Sequence, residues 1–137
     1  NFFPADVHAL LFMQLSLNMR AIISQRLIKT LDGKRAAAIE ILLGSPRVKD
    51  LIQKGQIDVL KEAMMGGTQE GMQTFDQAIY ALYSEGRISF EEAIANADSP
   101  NDIRLRIKME KIKGGEETED EGAFQLEEAA RAEKKKK

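Results

Sequence analysis

The sequence predicts an α/β fold in which one β-hairpin is followed by a bundle of short α-helices and a disordered charged tail. Two apolar segments, the first rich in β-branched residues, flank an Asp32-Gly33 turn signal, which predicts two antiparallel strands. Further along, apolar residues recur every three or four positions between Ser or Thr caps and glycine stops, a pattern typical of short helices. From Lys111 this pattern fails and charged side chains dominate, so we expect disorder there.

The totals exclude several classes of protein. A length of 137 residues with 43% hydrophobic content allows one small globular domain. No run of about 18 apolar residues is present, so we expect a cytoplasmic chain without membrane insertion. Because the chain lacks cysteine and has one histidine, His8, no metal site is expected. Residues 1–112 carry 14 basic and 14 acidic side chains, and this neutrality argues against nucleic acid as a partner.

The first third of the chain predicts one helix and two strands. Apolar residues recur at helical spacing from Val7 to Met19, and strands are predicted at 21–28 and 36–43. The second strand is apolar on both faces, so we expect it to lie inside a larger sheet. Because the chain begins abruptly at Asn1 and two strands alone are rarely stable, we expect a fragment of a longer protein.

Helix-start and helix-stop residues mark the elements that follow. Ser45 with Pro46 predicts a helix that Gly55 ends, and a further short helix is predicted at 57–65. A last helix is predicted to open at Ser99-Pro100.

Two capping boxes are predicted between these helices, Thr74 with Gln77 and Ser89 with Glu92. In such a box the hydroxyl accepts from a free backbone N–H, and the longer side chain returns to the backbone N–H of the cap.

Three parts follow from these boundaries. We predict the end of a core, made of a helix and a hairpin, at 1–44 and a helical subdomain at 45–110. A tail at 111–137 completes the chain, with seven acidic and no basic side chains in residues 116–128 and four lysines at its end.

No residue of this chain is predicted to be catalytic, to bind a cofactor or to ligate a metal. A phosphate-binding loop needs G-x-x-x-x-G-K-[ST], and Gly33-Lys34 does not fit because it lies inside a hairpin turn. Glu91 and Glu92 occupy a helix's first turn, where the dipole favours negative charge, so we interpret them as capping residues. His8 is interpreted as a half-buried helix histidine.

Six basic side chains are predicted to share one surface of the hairpin and the following helix. They are Lys29, Lys34, Arg35, Arg47, Lys49 and Lys54. A solvated surface explains them most simply, and a docking patch for a partner is the alternative.

Several segments resemble the type IV pilus retraction ATPases of the PilT/PilU family in order and spacing. They are residues 15–27, the Asp-Gly-Lys turn with residues 37–42, residues 45–55, which resemble the family's AIRNLIRE segment, and residues 71–77, which resemble its GMQT-x-[DE]-Q signature. Residues 87–93 and 97–105 resemble the PilU branch. The resemblance covers residues 1–110.

This resemblance implies the C-terminal part of a RecA-like P-loop ATPase domain of the secretion ATPase superfamily. Such proteins are hexameric motors that use ATP and Mg²⁺ to power pilus retraction and twitching motility at the inner-membrane base of the pilus machine. The implied partners are copies of itself, the paired retraction ATPase ring and the inner-membrane platform protein. The family's Walker A, Walker B and His-box segments precede the region resembled here, so the chain alone is expected to bind no nucleotide and to be inactive.

Two groups of site residues carry over from the resemblance. The retraction-motif helix, which the family needs for retraction rather than for nucleotide binding, corresponds to Arg47, Val48, Lys49, Asp50, Leu51 and Ile52. The family signature corresponds to Gly71, Met72, Gln73, Thr74, Asp76 and Gln77. We expect the apolar members of the helix to pack inward and Lys49 and Asp50 to face outward. Gln53 and Lys54 replace the family's second arginine and its glutamate.

Two other functions are compatible with the residues alone. A non-enzymatic helical interaction module would pair its hairpin with a partner's sheet by strand addition. A helix-turn-helix across Ser84–Ser89 would bind DNA, but its second helix begins with Phe90-Glu91-Glu92, and these two carboxylates would repel phosphates.

Overall fold

A computed structural model of the chain describes residues 3–113, in which six α-helices and two β-strands follow one another. They are α1 (His8–Asn18), β1 (Ala21–Lys29), β2 (Arg35–Leu43), α2 (Pro46–Gln53), α3 (Leu60–Gly66), α4 (Phe75–Ser84), α5 (Phe90–Asn96) and α6 (Pro100–Lys113). The chain separates into two compact units, one ending at Pro100 and the other beginning at Asn101. Residues 111–113 of the predicted tail belong to α6, and the rest of that tail lies outside the described residues.

The predicted hairpin is confirmed. β1 and β2 pair antiparallel over their whole length. The turn between them is closed by the Thr30 N–H, which donates to the Lys34 carbonyl at 3.0 Å, and by the Thr30 hydroxyl, which donates to the Asp32 carboxylate. Gly33 has a φ of +80°, in the left-handed region that favours glycine, so the Asp-Gly signal was a correct predictor of the turn.

Of the larger sheet predicted around β2, residues 3–113 contain the hairpin and one additional backbone pairing. The sheet in this part of the chain has the two strands β1 and β2. The second edge of β2 carries a single antiparallel bridge, between Ile41 and Gln73. Within the described range, therefore, β2 is flanked on both sides only at this point.

The two faces of the hairpin differ in burial, because successive side chains of a strand point to opposite sides. The inward face consists of Ser24, Arg26, Ile28, Ala36, Ala38, Glu40 and Leu42, and α4 and α5 pack against this hairpin. The outward face consists of Ile23, Gln25, Leu27, Ala37, Ile39 and Ile41. Ile28 is 1% exposed on the inward face, whereas Ile23 is 69% exposed on the outward face.

A core cluster forms where the hairpin ends and the helices begin. Its buried members are Met19, Leu42, Val48, Leu51, Ile52, Ala63, Met64 and Met72. The chain approaches itself closely at this point, since a side chain on Gly44 would place its Cβ 2.5 Å from the Met19 carbonyl oxygen. Only glycine therefore allows β2 to run directly into α2.

The predicted helix boundaries hold where a capping side chain is present. The Ser45 hydroxyl accepts from the Val48 N–H at 3.4 Å and Pro46 is the first residue of α2. The first predicted helix of the chain and the one predicted at 57–65 are instead preceded or opened by single turns of 3-10 helix, at Ala5–Val7 and Ile57–Val59. Neither of these two turns has a side chain that caps its free backbone N–H groups, so a tighter turn forms first.

Of the two predicted capping boxes, one is complete. The Thr74 hydroxyl accepts from the Gln77 N–H at 3.3 Å, and the Gln77 side chain accepts from the Thr74 N–H at 2.9 Å. At α5 the Ser89 hydroxyl accepts from the Glu92 N–H at 3.2 Å. The Glu92 carboxylate accepts from the Asn96 side chain at 3.2 Å, one turn further along the helix, so the second half of this box is not formed.

Candidate functional site

The segment predicted to be the retraction-motif helix forms α2, and its side chains divide between core and solvent. Val48, Leu51 and Ile52 are 0%, 8% and 4% exposed and join the core cluster. Asp50 is exposed, as expected, while Lys49 is half-buried. Lys54 forms an ion pair with Asp50 at 2.7 Å. The solvent-facing side of α2 therefore carries a paired acid and base.

The signature segment, residues 71–77, begins by extending the sheet. Gly71 has a φ of +94°, which turns the chain back towards β2. The Ile41 N–H donates to the Gln73 carbonyl at 2.8 Å, and the Gln73 N–H donates to the Ile41 carbonyl at 3.0 Å. The Gln73 amide side chain also donates to the Ile39 carbonyl at 2.8 Å. Gln73 therefore fixes the segment to β2 through both its backbone and its side chain.

The start of α4 is bound to the same strand. Beyond the Thr74 capping box, the Phe75 N–H donates to the Glu40 carboxylate at 3.3 Å. This carboxylate lies at a helix N-terminus, where the helix dipole stabilises negative charge. The Gln77 side chain donates to the Thr68 hydroxyl at 3.3 Å, so the signature amide serves two contacts at once.

Asp76 connects the signature segment to the end of the first unit. Its two carboxylate oxygens accept from the backbone N–H groups of Asp98, at 2.8 Å, and Ser99, at 3.0 Å. These two residues immediately precede Pro100, where the first unit ends. A single signature side chain thus holds the exit of the first unit against α4.

A cluster around Asp98, which the sequence did not predict, strengthens this connection. The Arg26 guanidinium lies 2.7 Å from the Asp98 carboxylate and donates to the Asn96 carbonyl at 3.0 Å. Its central carbon lies 3.9 Å from the centre of the Phe75 ring, a cation–π geometry. Lys61 forms a second ion pair with Asp98. β1, α3 and the loop before α6 therefore meet at one carboxylate.

The protonation of this carboxylate follows from its neighbours. Burial alone opposes ionisation of the Asp98 carboxyl, but hydrogen bonds from Lys61 and Arg26, together with their positive charge, outweigh that effect. The pKa of Asp98 therefore lies below its ordinary value. The cluster is held together by an ionised aspartate.

The two predicted site groups belong to one packed structure. Met72 of the signature segment is 3% exposed and lies in the same core cluster as Val48, Leu51 and Ile52 of α2. Leu42 of β2 belongs to this cluster as well. The hairpin, the signature segment and α2 therefore share one core cluster.

The predicted basic surface is not a single surface. Lys29, Lys34 and Arg35 lie at the turn end of the hairpin, whereas Arg47 and Lys49 follow the opposite end of β2. A nine-residue strand separates these ends by about 26 Å, at roughly 3.3 Å per residue. Lys34 and Lys54 in addition pair with neighbouring aspartates. The alternative prediction of a single docking patch made of all six side chains is therefore wrong.

The described residues contain neither a cluster of metal-ligating side chains nor a phosphate-binding loop motif. Within residues 3–113 no three histidine or acidic side chains are grouped as metal ligands. The chain contains no G-x-x-x-x-G-K-[ST] segment, so its residues do not fit a phosphate-binding loop. None of the described helices is long and apolar enough to cross a membrane.

Comparison with known proteins identifies the family. The chain is 54% identical over 110 residues to the type IV pilus ATPase PilU of Pseudomonas aeruginosa, covering 80% of this chain and 29% of that protein. It is 37% identical over 101 residues to the type IV pilus retraction ATPase PilT of the same organism, covering 74% of this chain and 29% of the relative. A twitching motility protein of Neisseria gonorrhoeae is 38% identical over 98 residues, or 71% of this chain and 26% of the relative. No protein-family model matches the chain.

Solved structures show the same relationship in the fold. The pilus retraction motor PilT with bound ADP matches 73% of this chain and 27% of its own with a TM-score of 0.64 and 29% identity. The Legionella pneumophila ATPase DotB matches 69% of this chain and 27% of its own with a TM-score of 0.54 at 22% identity, a likeness of fold alone.

The chain spans less than a third of the length of the relatives it matches. The fold class predicted from sequence, a β-hairpin followed by short helices from the C-terminal part of a RecA-like P-loop ATPase domain, is confirmed for the described residues. The predicted resemblance to PilU is likewise confirmed by the relatives themselves. This chain belongs to the PilT/PilU family of type IV pilus retraction ATPases and corresponds to a C-terminal part of a PilU-like protein.

Proposed function

We propose that the chain serves as the C-terminal part of a hexameric PilU-like motor that powers type IV pilus retraction and twitching motility, and that it contributes ring contacts and force transmission. The names of its relatives, a type IV pilus ATPase and a twitching motility protein, support the motor role. A free-standing interaction module, the alternative reading of the sequence, is not favoured by these relationships.

The observation that carries this proposal is the junction at the signature segment. Gln73 binds β2, Met72 lies in the core cluster that α2 shares, and Asp76 binds the loop before α6. Seven consecutive residues therefore connect three separate elements. A segment held by hydrogen bonds to two of them and by shared burial to the third would convert a movement of the hairpin into a movement of the helices.

The outward face of the hairpin supports a core that continues beyond these residues. Ile23 and Leu27 are 69% and 53% exposed on a face that is apolar. Sheets of this class have both faces covered, so an apolar uncovered face fits residues 1–44 as the end of a RecA-like core. Residues 45–110 then form the helical subdomain attached to it.

ATP and Mg²⁺ belong to the whole motor in this proposal. They are bound by segments that this chain does not contain, so the chain by itself contributes no step of nucleotide chemistry. The proposed partners are further copies in the ring, a paired retraction ATPase ring and the inner-membrane pilus platform protein. The motor then works in the cytoplasm at the inner-membrane base of the pilus machine.

The test separates force transmission from ATP hydrolysis in the full-length motor. Asp50→Ala removes a carboxylate from the exposed surface of α2, and Glu62→Ala removes one from the exposed surface of α3. We expect Asp50→Ala to slow pilus retraction while ATP turnover and ring mass stay unchanged, because its ion pair with Lys54 is exposed and adds little to stability.

The Glu62→Ala motor is the matched control and should retract at the normal rate. Equal retraction rates in both variants would show that the exposed surface of α2 takes no part in force transmission. A parallel loss of ATP turnover in Asp50→Ala would assign the helix to nucleotide chemistry instead. If the full-length protein neither hydrolyses ATP nor forms a ring, the interaction module is favoured instead.

A further inference from the structure

The turn end of the hairpin carries two cations that lie directly opposite each other. Lys29, the last residue of β1, and Arg35, the first residue of β2, are partners in the strand register. Both residues are exposed. Like charges that lie directly opposite each other on neighbouring strands are destabilising. The described residues therefore contain a repulsive pair where one acidic side chain would have made an attractive one.

The hydrogen-bond pattern brings these two side chains as close as an antiparallel pair of strands allows. The Thr30 N–H donates to the Lys34 carbonyl at 3.0 Å, so this pair is hydrogen-bonded. Hydrogen-bonded and non-hydrogen-bonded pairs alternate, so the adjacent pair of Lys29 and Arg35 is of the second kind, with Cα atoms about 4.5 Å apart. Ile41, which has the same parity as Arg35, agrees with this alternation, because its N–H and its carbonyl are both bonded on the other edge of β2.

No carboxylate of residues 3–113 forms an ion pair with either cation. Asp32, the nearest acid along the chain, pairs with Lys34 instead. Glu92 lines the same pocket as Lys29, but its carboxylate accepts from the Asn96 side chain at 3.2 Å. Within the described range, therefore, nothing neutralises the repulsion between the two cations.

The surface next to the two cations is apolar. Leu27, which is 53% exposed, and Ala37 are the next residues on the outward face and lie opposite each other in the register. An inorganic anion gains nothing from this apolar surface, whereas a protein surface is stabilised by covering it. Covering it also removes water, and a charge pair is stronger where water is excluded. The outward face therefore fits a protein surface that has apolar side chains and a carboxylate over its turn end.

We propose that the part of the motor's core that covers the outward face places a carboxylate between Lys29 and Arg35. This inference rests on the proposed function, in which residues 1–44 are the end of a larger core. A guanidinium binds a carboxylate through two parallel hydrogen bonds, and an ammonium adds a compact positive charge beside it. One acidic side chain thus replaces a repulsive contact by two attractive ones, and the hairpin is more stable in the complete motor than in this chain.

The test is a change of sign between two proteins. In this chain, Lys29→Glu replaces a repulsive cross-strand pair by an attractive one and should raise the midpoint of thermal unfolding by about 2 to 5 °C. In the full-length motor the same glutamate meets the proposed carboxylate in a covered site, so the midpoint should fall. Circular dichroism measures the midpoint of the chain, and scanning calorimetry measures that of the motor.

Two further variants make the result specific. Lys34→Glu makes the same charge change at an exposed position, but it removes an ion pair with Asp32. It should therefore not raise the midpoint in either protein. Lys29→Glu combined with Arg35→Glu restores a pair of like charges, and in this chain it should cancel the gain of the single variant.

Three outcomes would overturn the proposal. A higher midpoint of Lys29→Glu in both proteins would show that no carboxylate meets the pair in the motor. A lower midpoint in both would show that the two cations do not repel each other in this chain. Loss of ring mass in light scattering, with an unchanged midpoint of the motor, would place the carboxylate on a neighbouring copy. Ring formation and pilus retraction by the parent motor are measured separately, so a failure of the proposed function is distinguishable from a failure of this pairing.

Discussion

The inward and outward faces of the hairpin both carry apolar side chains but have opposite surroundings. Ile28 on the inward face is buried beneath the helical half of the chain, and Ile23 on the outward face is 69% exposed. On the inward face the polar side chains also have partners, since Arg26 binds Asp98 and Glu40 accepts from the Phe75 N–H. An apolar pattern in the sequence therefore predicts that a face can be buried. Within the described residues only the inward face of the hairpin is buried.

The largest expected effect contrasts two isoleucines of the same strand. Ile28→Ala leaves a cavity on the inward face and should lower the free energy of unfolding by about 2 to 5 kcal/mol. Ile23→Ala on the outward face should change it by no more than about 0.5 kcal/mol in the chain alone. Urea unfolding followed by circular dichroism measures both. Equal losses would mean that the outward face is already covered in solution.

A smaller effect is expected at Arg26. Arg26→Ala removes the ion pair with Asp98, the bond to Asn96 and the contact with the Phe75 ring, and should lower the free energy of unfolding by about 1 to 2 kcal/mol. The matched change is Gln25→Ala on the outward face, which is exposed and should be close to neutral. If the two variants have the same urea midpoint, the cluster around Asp98 does not stabilise the chain.

The smallest effect is the pH dependence of that cluster. Because the pKa of Asp98 is lower in the folded chain than its value of about 3.9 in the unfolded chain, its stabilisation is present above that value. It is lost as the pH falls through the folded pKa. The difference in urea midpoint between the parent chain and Asp98→Asn should therefore be constant near neutral pH and shrink below about pH 4. A difference that does not change with pH would assign the effect of Asp98→Asn to packing.

Local features of the fold could be predicted from the sequence, and contacts between distant residues could not. The Thr74 box and the Gly33 turn depend on residues within a few positions of each other, so their spacing was sufficient. Glu92 was assigned to a capping box, but Asn96 competes for its carboxylate from one turn further on. Spacing alone does not decide between two partners that lie within reach.

The site shows the same limit. The signature segment and α2 were assigned by resemblance, and only the structure shows that Met72 and α2 share one core cluster. Arg26 and Asp98 are separated by 71 intervening positions, and an arginine in a strand gives no sign of the carboxylate that it will meet. Their contact depends on how the hairpin and α4 come together, which is a property of the whole fold.

The two hydrogen bonds between Asp76 and the loop before α6 need the side chain of Asp76 but no particular side chain in the loop. Their donors at residues 98 and 99 are backbone N–H groups, which nineteen of the twenty amino acids possess, and proline is the exception. Position 99 can therefore accept many substitutions without loss of its bond, whereas Asp76 must supply two acceptor oxygens. Sequence drift at position 99 leaves this joint intact, and drift at Asp76 does not.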